Sequence, residues 1–274
     1  MAKNFWVGAL ALLSLVIAPL SGASAADLRM PMKAPPVAAP APVATWTGCY
    51  IGVEGGGVSS RTRNAWDPNP AGFPQSGPVV ASLGTNTISD TGGTVGAEIG
   101  CNYQFGGVFV VGAEGDWSWT GINSTLLTNF AGCAACGVGG TALGAAAVTE
   151  TVRSNWLATL RGRLGFLATP SFLIYATGGL AIADLQLSDA IAFAGSGTFN
   201  AATSNNTQTG WTAGGGLEWM FLPNWSLKGE YLHVDLGNVT YTSANSSAAF
   251  PLSTISHSHK FTEDIGRAGI NWHF

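Results

Sequence analysis

Charge is what this sequence has least of. Only 9% of its 274 residues are Asp, Glu, Lys or Arg, against about 25% in an ordinary soluble domain, while 46% are hydrophobic. Water alone is not what such a surface faces. A basic excess is also missing: the formal net charge is −4, so the electrostatic footprint of nucleic-acid binding is absent. After residue 20 no apolar run reaches the ~20 residues of a membrane-spanning helix, which excludes a helical membrane protein. Cysteine is scarce at four, an even number that favours disulfides in an exported chain.

What is present begins with an export signal. Lys3 precedes an apolar run from Phe5 to Leu20, and Ala23-Ser24-Ala25 then supplies a small-residue cleavage site, so residues 1–25 read as a signal peptide. The run is short for a span and is broken by Pro19. Residues 26–45 are rich in Pro and Ala; the prolines fix φ and remove backbone donors, and the segment reads as an extended periplasmic linker. The remainder, 46–274, repeats one plan.

That plan is period-two alternation, the mark of strands with two unlike faces. Cys49, Ile51 and Val53 oppose Gly52, Glu54 and Gly56; Val95, Ala97 and Ile99 oppose Gly96, Glu98 and Gly100. Phe109, Val111, Ala113, Trp117 and Trp119 oppose Glu114, Asp116 and Ser118. Trp156, Ala158, Leu160 and Leu164 oppose Arg153, Asn155, Thr159, Arg161 and Arg163. Segment 172–183 is too uniformly apolar for its parity to be read. Trp211, Leu217 and Trp219 oppose Gly216 and Glu218; Leu227 and Tyr231 oppose Lys228 and Glu230; Ala268, Ile270, Trp272 and Phe274 oppose Glu263, Arg267, Asn271 and His273.

About eight strands of roughly ten residues result, the length a tilted strand needs to cross a bilayer. Short turns at 104–107, 167–171 and 222–224 alternate with long loops at 59–90, 123–151, 184–209 and 235–260. The fold class expected is all-β: an antiparallel up-and-down transmembrane barrel with short periplasmic turns and long extracellular loops, exported to the Gram-negative outer membrane. Trp46, Trp117, Trp119, Trp211, Trp219, Trp225, Tyr231 and Trp272 suit girdles at the two membrane interfaces.

In a barrel this small the interior is filled by side chains. Parity sends Glu54, Glu98, Glu114, Asp116, Glu218 and Glu230 inward with Arg153, Arg161, Arg163, Lys228 and Arg267. The two signs nearly balance, and buried charges need partners, so an ion-pair network is predicted to fill the lumen. A polar pathway for ions is the competing reading.

Cys133 and Cys136 lie in an outer loop and suit a local disulfide; Cys49 and Cys101 start and end adjacent strands on one face and are expected to pair across them. His257 and His259 could hold a metal or haem iron, although paired histidines in an outer loop are usually solvated. His233 with Ser226 or Asp235 is the nearest set to a hydrolase site, at a spacing of little specificity. No metal, cofactor or catalytic residue is assigned.

Three segments carry a resemblance: TWTGCYIGVEGG at 45–56, NWSLKGEYLHVDLG at 224–237 and RAGINWHF at 267–274. With them the mature chain resembles the small outer-membrane surface-antigen barrels of alphaproteobacteria, the porin-family or OmpA-like proteins. The resemblance implies a surface-exposed barrel supporting envelope integrity, without catalytic residues. It also makes the alternating end Ile270, Trp272 and Phe274 similar to the signal read by the outer-membrane assembly machinery. Partners expected are outer-membrane lipid and lipopolysaccharide, that machinery with periplasmic chaperones, and the cell wall or a host surface. A narrow porin-like diffusion channel is the alternative function, and a lipid-modifying, haem-binding or other ligand-binding barrel a third.

Overall fold

The structure is a computed structural model that describes residues 45–135, 142, 144–194, 197–200, 203–245 and 252–274. The expected signal peptide and all of the linker but Thr45 lie outside them.

The strands are β1 Gly48–Pro68, β2 Asn86–Phe105, β3 Phe109–Phe130, β4 Ala146–Thr169, β5 Phe172–Phe193, β6 Gly197–Asn200, β7 Thr203–Leu222, β8 Trp225–Asn245 and β9 Thr254–His273; one helix, α1 Gly77–Gly84, lies between β1 and β2. Eight long strands pair antiparallel around a ring, and β9 returns to β1 with Tyr50 opposite His273 and Pro68 opposite Ile255. Closure is what the bilayer demands, since hydrocarbon offers no partner to a free sheet edge. The short β6 joins β5 to β8 near the end remote from the short turns. Among the described residues no helix is long and apolar enough to cross a membrane.

The expected alternation is present, with Ile51, Val53, Val95, Ile99, Leu160, Leu164, Leu217, Leu227 and Ile270 outward and exposed. Strand length is a correction. The strands run 20 to 24 residues, not ten, and much of each expected long loop is paired strand. In β1, for example, Ser59, Arg61, Arg63, Ala65 and Asp67 face outward while Ser60, Thr62, Asn64 and Trp66 are buried. Alternation persists there, but the outward set turns polar, because those residues have left the bilayer. The barrel therefore stands well clear of the membrane on its outer side.

Bulges reset the faces. In β4 the register slips between Ser154 and Leu157 against β5, so Val152 and Ser154 point inward before the slip and Leu157, Thr159, Arg161 and Arg163 after it. One extra residue exchanges the two faces of a strand. In β8 the slip lies between Asp235 and Asn238 around Gly237, at φ 76°, a conformation that favours glycine. Inward positions there change from even (Leu232, Val234) to odd (Val239).

Seen from inside, the barrel is a stack. Nearest the short turns, Trp46, Val110, Leu167, Leu173, Tyr175 and Met220 form an apolar plug. Trp46 is a further correction: it is buried, donating from Nε1 to the Pro170 carbonyl at 3.0 Å, and does not join the girdle. Next come the charges. Then Val58, Ile88, Ile122, Leu157, Leu185, Leu187, Leu232, Phe261 and Ile265, with neighbours, make a broad apolar layer. A second polar layer follows, and Trp66, Phe73, Val80, Ile191, Phe193 and Ile255 close the outer end, where Val80 of α1 packs. Strands β4 and β5 each supply residues to all three apolar layers.

Candidate functional site

The inner polar layer gathers ten of the eleven charged residues expected in the lumen. Arg161 pairs with Glu114, with Asp116 at 2.9 Å and with Glu230 at 2.9 Å. Arg267 holds Glu54, Asp116 at 3.1 Å and Glu230 at 2.6 Å. Lys228 binds Glu98 and lies 3.3 Å from Glu114 and 3.7 Å from Glu54. Arg163 reaches Glu218 at 2.6 Å, donates to the Tyr50 hydroxyl at 2.7 Å and stacks 3.9 Å above the Tyr175 ring. All of these side chains are removed from solvent. Room for the two tyrosines comes from glycine: a Cβ on Gly100 would lie 2.4 Å from the Tyr50 hydroxyl, and one on Gly216 2.6 Å from that of Tyr175.

Arg153 is the exception and a correction. It is exposed and donates from Nε to Asn123 at 3.0 Å, because the β4 bulge puts it on the opposite face from Arg161. Without it the near balance of signs is lost: Glu54, Glu98, Glu114, Asp116, Glu218 and Glu230 face Arg161, Arg163, Lys228 and Arg267. Sequence reasoning had no signal for the bulge.

Cys49 and Cys101 stand opposite each other in the β1–β2 register and are disulfide-bonded, as their parity suggested. Cys133 is disulfide-bonded, and Cys136 lies outside the described residues. Ile270, Trp272 and Phe274 line the outward face of the last strand, with the Phe274 amide donating to the Cys49 carbonyl at 2.9 Å. The hydrolase set does not assemble. Ser226 is buried, hydrogen-bonded to Glu218 and His273, whereas His233 lies outside against Asp264 at 2.8 Å and Asp235 pairs with Lys260 at 3.1 Å.

The outer polar layer was not foreseen. His257 and His259 are not solvated loop residues: both are buried on β9, 2% and 1% exposed. Each has a ring nitrogen 2.9 Å from the same oxygen, Asp189 Oδ2 of β5, and Tyr241 donates to that oxygen at 2.8 Å. Asn64 and Asn86 hold the Glu150 carboxylate beside them. Here the outward residues are Asp184, Gln186 and Ser188, so the layer lies outside the bilayer. Burial opposes ionisation of Asp189, but the polar neighbours that converge on its carboxylate, the two histidines and then the Tyr241 hydroxyl, win and keep its carboxyl below the ordinary range. Burial pushes Glu150 up to about 7 against the Asn86 hydrogen bond. Burial alone takes Glu263, set among apolar neighbours, up to about 7. A sequence signal for this layer existed: odd positions of β9 face inward without interruption from His273 back to Ile255.

Comparison with known proteins places this architecture. The family described as outer membrane protein beta-barrel domain matches residues 32–250. The chain belongs to that family. It is 31% identical over 217 residues to the 31 kDa outer-membrane immunogenic protein of Brucella melitensis, covering 79% of this chain and 82% of that one. It is 32% identical over 87 residues to the 22 kDa outer membrane protein of Rhizobium leguminosarum, covering 32% and 36%. Among solved structures, the outer membrane protease OmpT of Escherichia coli aligns over 84% of this chain and 98% of its own at 9% identity and a TM-score of 0.44, too distant to bear on activity. This outer-membrane barrel thus joins an alphaproteobacterial surface-antigen group, as the three sequence segments implied.

Proposed function

We propose that the protein is a sealed, non-enzymatic structural barrel of the outer membrane that displays a tall, polar, surface-exposed rim. One observation carries the reading: the charged layer of the lumen is enclosed between two apolar layers, the plug around Trp46 and Leu173 and the layer around Leu185 and Phe261. An ion crossing the barrel would have to shed its hydration twice in surroundings that offer it no partner. A diffusion pore would instead carry its polar lining from end to end. Surface display is supported by strands that continue beyond the bilayer with polar outward faces, and by the relatives' printed description as immunogenic outer-membrane proteins. Lipopolysaccharide suits Arg61, Arg63 and Lys260, which share the outward face of β1 and β9 where the apolar belt ends.

The test is the conductance of the refolded barrel in planar bilayers. No sustained open current is expected from the wild type. Sizeable currents that rise further in Arg161→Ala would overturn the sealed lumen in favour of a diffusion channel.

A further inference from the structure

The outer polar layer is short of protons. Asn64 donates both amide hydrogens, to Glu150 Oε1 at 3.1 Å and to Asn86 Oδ1 at 3.1 Å. Its own Oδ1 is therefore an acceptor, and His259 Nδ1, 2.7 Å away, must be the nitrogen that carries hydrogen. In the neutral ring this leaves Nε2 as a bare lone pair, facing the Asp189 carboxylate oxygen at 2.9 Å. Two lone pairs at that separation repel unless a cation lies between them. On the other side, His257 Nε2 meets Ser243 Oγ at 2.7 Å. Its Nδ1 is buried, 2.9 Å from the same carboxylate oxygen yet off the hydrogen-bond direction, and has no partner.

We propose that Asp189, His257 and His259 form a binding site for one divalent transition-metal ion of the zinc class. Their three ligand atoms lie within 4.8 Å of one another, and two imidazole nitrogens with a carboxylate oxygen are a donor set that suits Zn(II) and its borderline neighbours over Ca(II) or Mg(II). The remaining ring nitrogens are held by Asn64 and Ser243, the orienting contacts that fix tautomer and ring position in metal sites. A fourth position would fall to water. Asp189 stands on β5 and the histidines on β9, strands that are not neighbours in the ring, so the ion would tie two walls together across the lumen. With apolar layers above and below, its role would be structural, and it would enter while the outer half is still open during folding.

The experiment folds the full chain into detergent micelles with Zn(II), or with Co(II) as a spectroscopic probe, removes excess metal, and measures metal per folded barrel. Folding is followed independently by heat-modifiable gel mobility. About one equivalent is expected for the wild type, with Co(II) ligand-field bands of a low-coordinate nitrogen and oxygen set. His257→Ala/His259→Ala should lose it, and Asn64→Ala should weaken it about 10–100-fold. Because the double variant removes two buried side chains, His259→Gln, which can still hydrogen-bond to Asn64, serves as the folding-neutral control and should also lose tight binding. A folded wild type that retains no metal would overturn the proposal. So would retention undiminished in folded His259→Gln, or nitrogen NMR showing His259 doubly protonated in the metal-treated protein: a proton would then be the cation.

Discussion

The two halves of this barrel use opposite arrangements of the same strands. In the bilayer half, β4 shows Leu160 and Leu164 to lipid and turns Arg161 and Arg163 inward; in the outer half the same strand shows Thr149, Thr151 and Arg153 outward and buries Val148 and Val152. The first half is apolar outside and charged inside, the second polar outside and mostly apolar inside. Both follow from one rule, that each face must match its medium. A long barrel can thus leave the membrane without changing fold, provided a bulge or a change of composition exchanges the faces at the boundary. The outer half resembles a soluble domain with one polar island, while the inner half is held by charges with no access to water.

The largest expected effect tests the dependence of the inner half on its charges. Arg161→Ala leaves Glu114, Asp116 and Glu230 without their shared guanidinium in a dry interior, where loss of one partner costs about 3–5 kcal/mol. Denaturant midpoints of the detergent-folded barrel should fall accordingly. Truncating an outer-half polar contact such as Thr125 to Ala, exposed and bonded only to Thr151, should change the midpoint by less than about 0.5 kcal/mol. The outward faces give the second test. Leu160→Arg places a charge in the apolar belt and should cost about 2–4 kcal/mol near the bilayer centre. Gln186→Arg, outward on the outer half beside Asp184, should cost under about 0.5 kcal/mol. Equal penalties in lipid vesicles would refute the assignment of the two halves.

How much could be read in advance divides along the same boundary. The bilayer half was legible because lipid forces a strict contrast: Val53 beside Glu54, or Leu160 beside Arg161, leaves no doubt about which faces inward. Strand β5 resisted since Leu173, Leu185 and Leu187 fill the lumen with residues as apolar as the outward Ile174 and Leu180. Beyond the belt the contrast inverts, and segments such as 59–90 have the composition of loops although 59–68 and 86–90 remain in the sheet. Arg153 was misplaced because a bulge is a matter of backbone register, invisible in composition. His257 and His259 needed only the odd parity of β9 carried further. Their link to Asp189 joins distant residues on non-adjacent strands, which local pattern cannot supply.

A pH-dependent effect sits at the seam. Glu263 is buried with neither carboxylate oxygen hydrogen-bonded, between Phe261 and Ile265 and just outside the belt, where Thr262 and Asp264 face outward. Burial raises its carboxyl from 4.5 to about 7, so between those values the folded state holds a proton the unfolded state has released. Stability should therefore be unaffected below pH 4.5, decline as pH rises toward 7, and level off above it. The full loss is on the order of 3–4 kcal/mol, since each tenfold change in proton affinity is worth about 1.4 kcal/mol. Glu263→Gln, which stays neutral, should remove this part of the pH dependence and make the barrel more stable than the wild type at pH 8 while matching it near pH 4. A wild-type midpoint that rises between pH 5 and 8 to the same extent in both proteins would mean that Glu263 has a counter-charge or water in the outer half, and that the apolar layer is not dry.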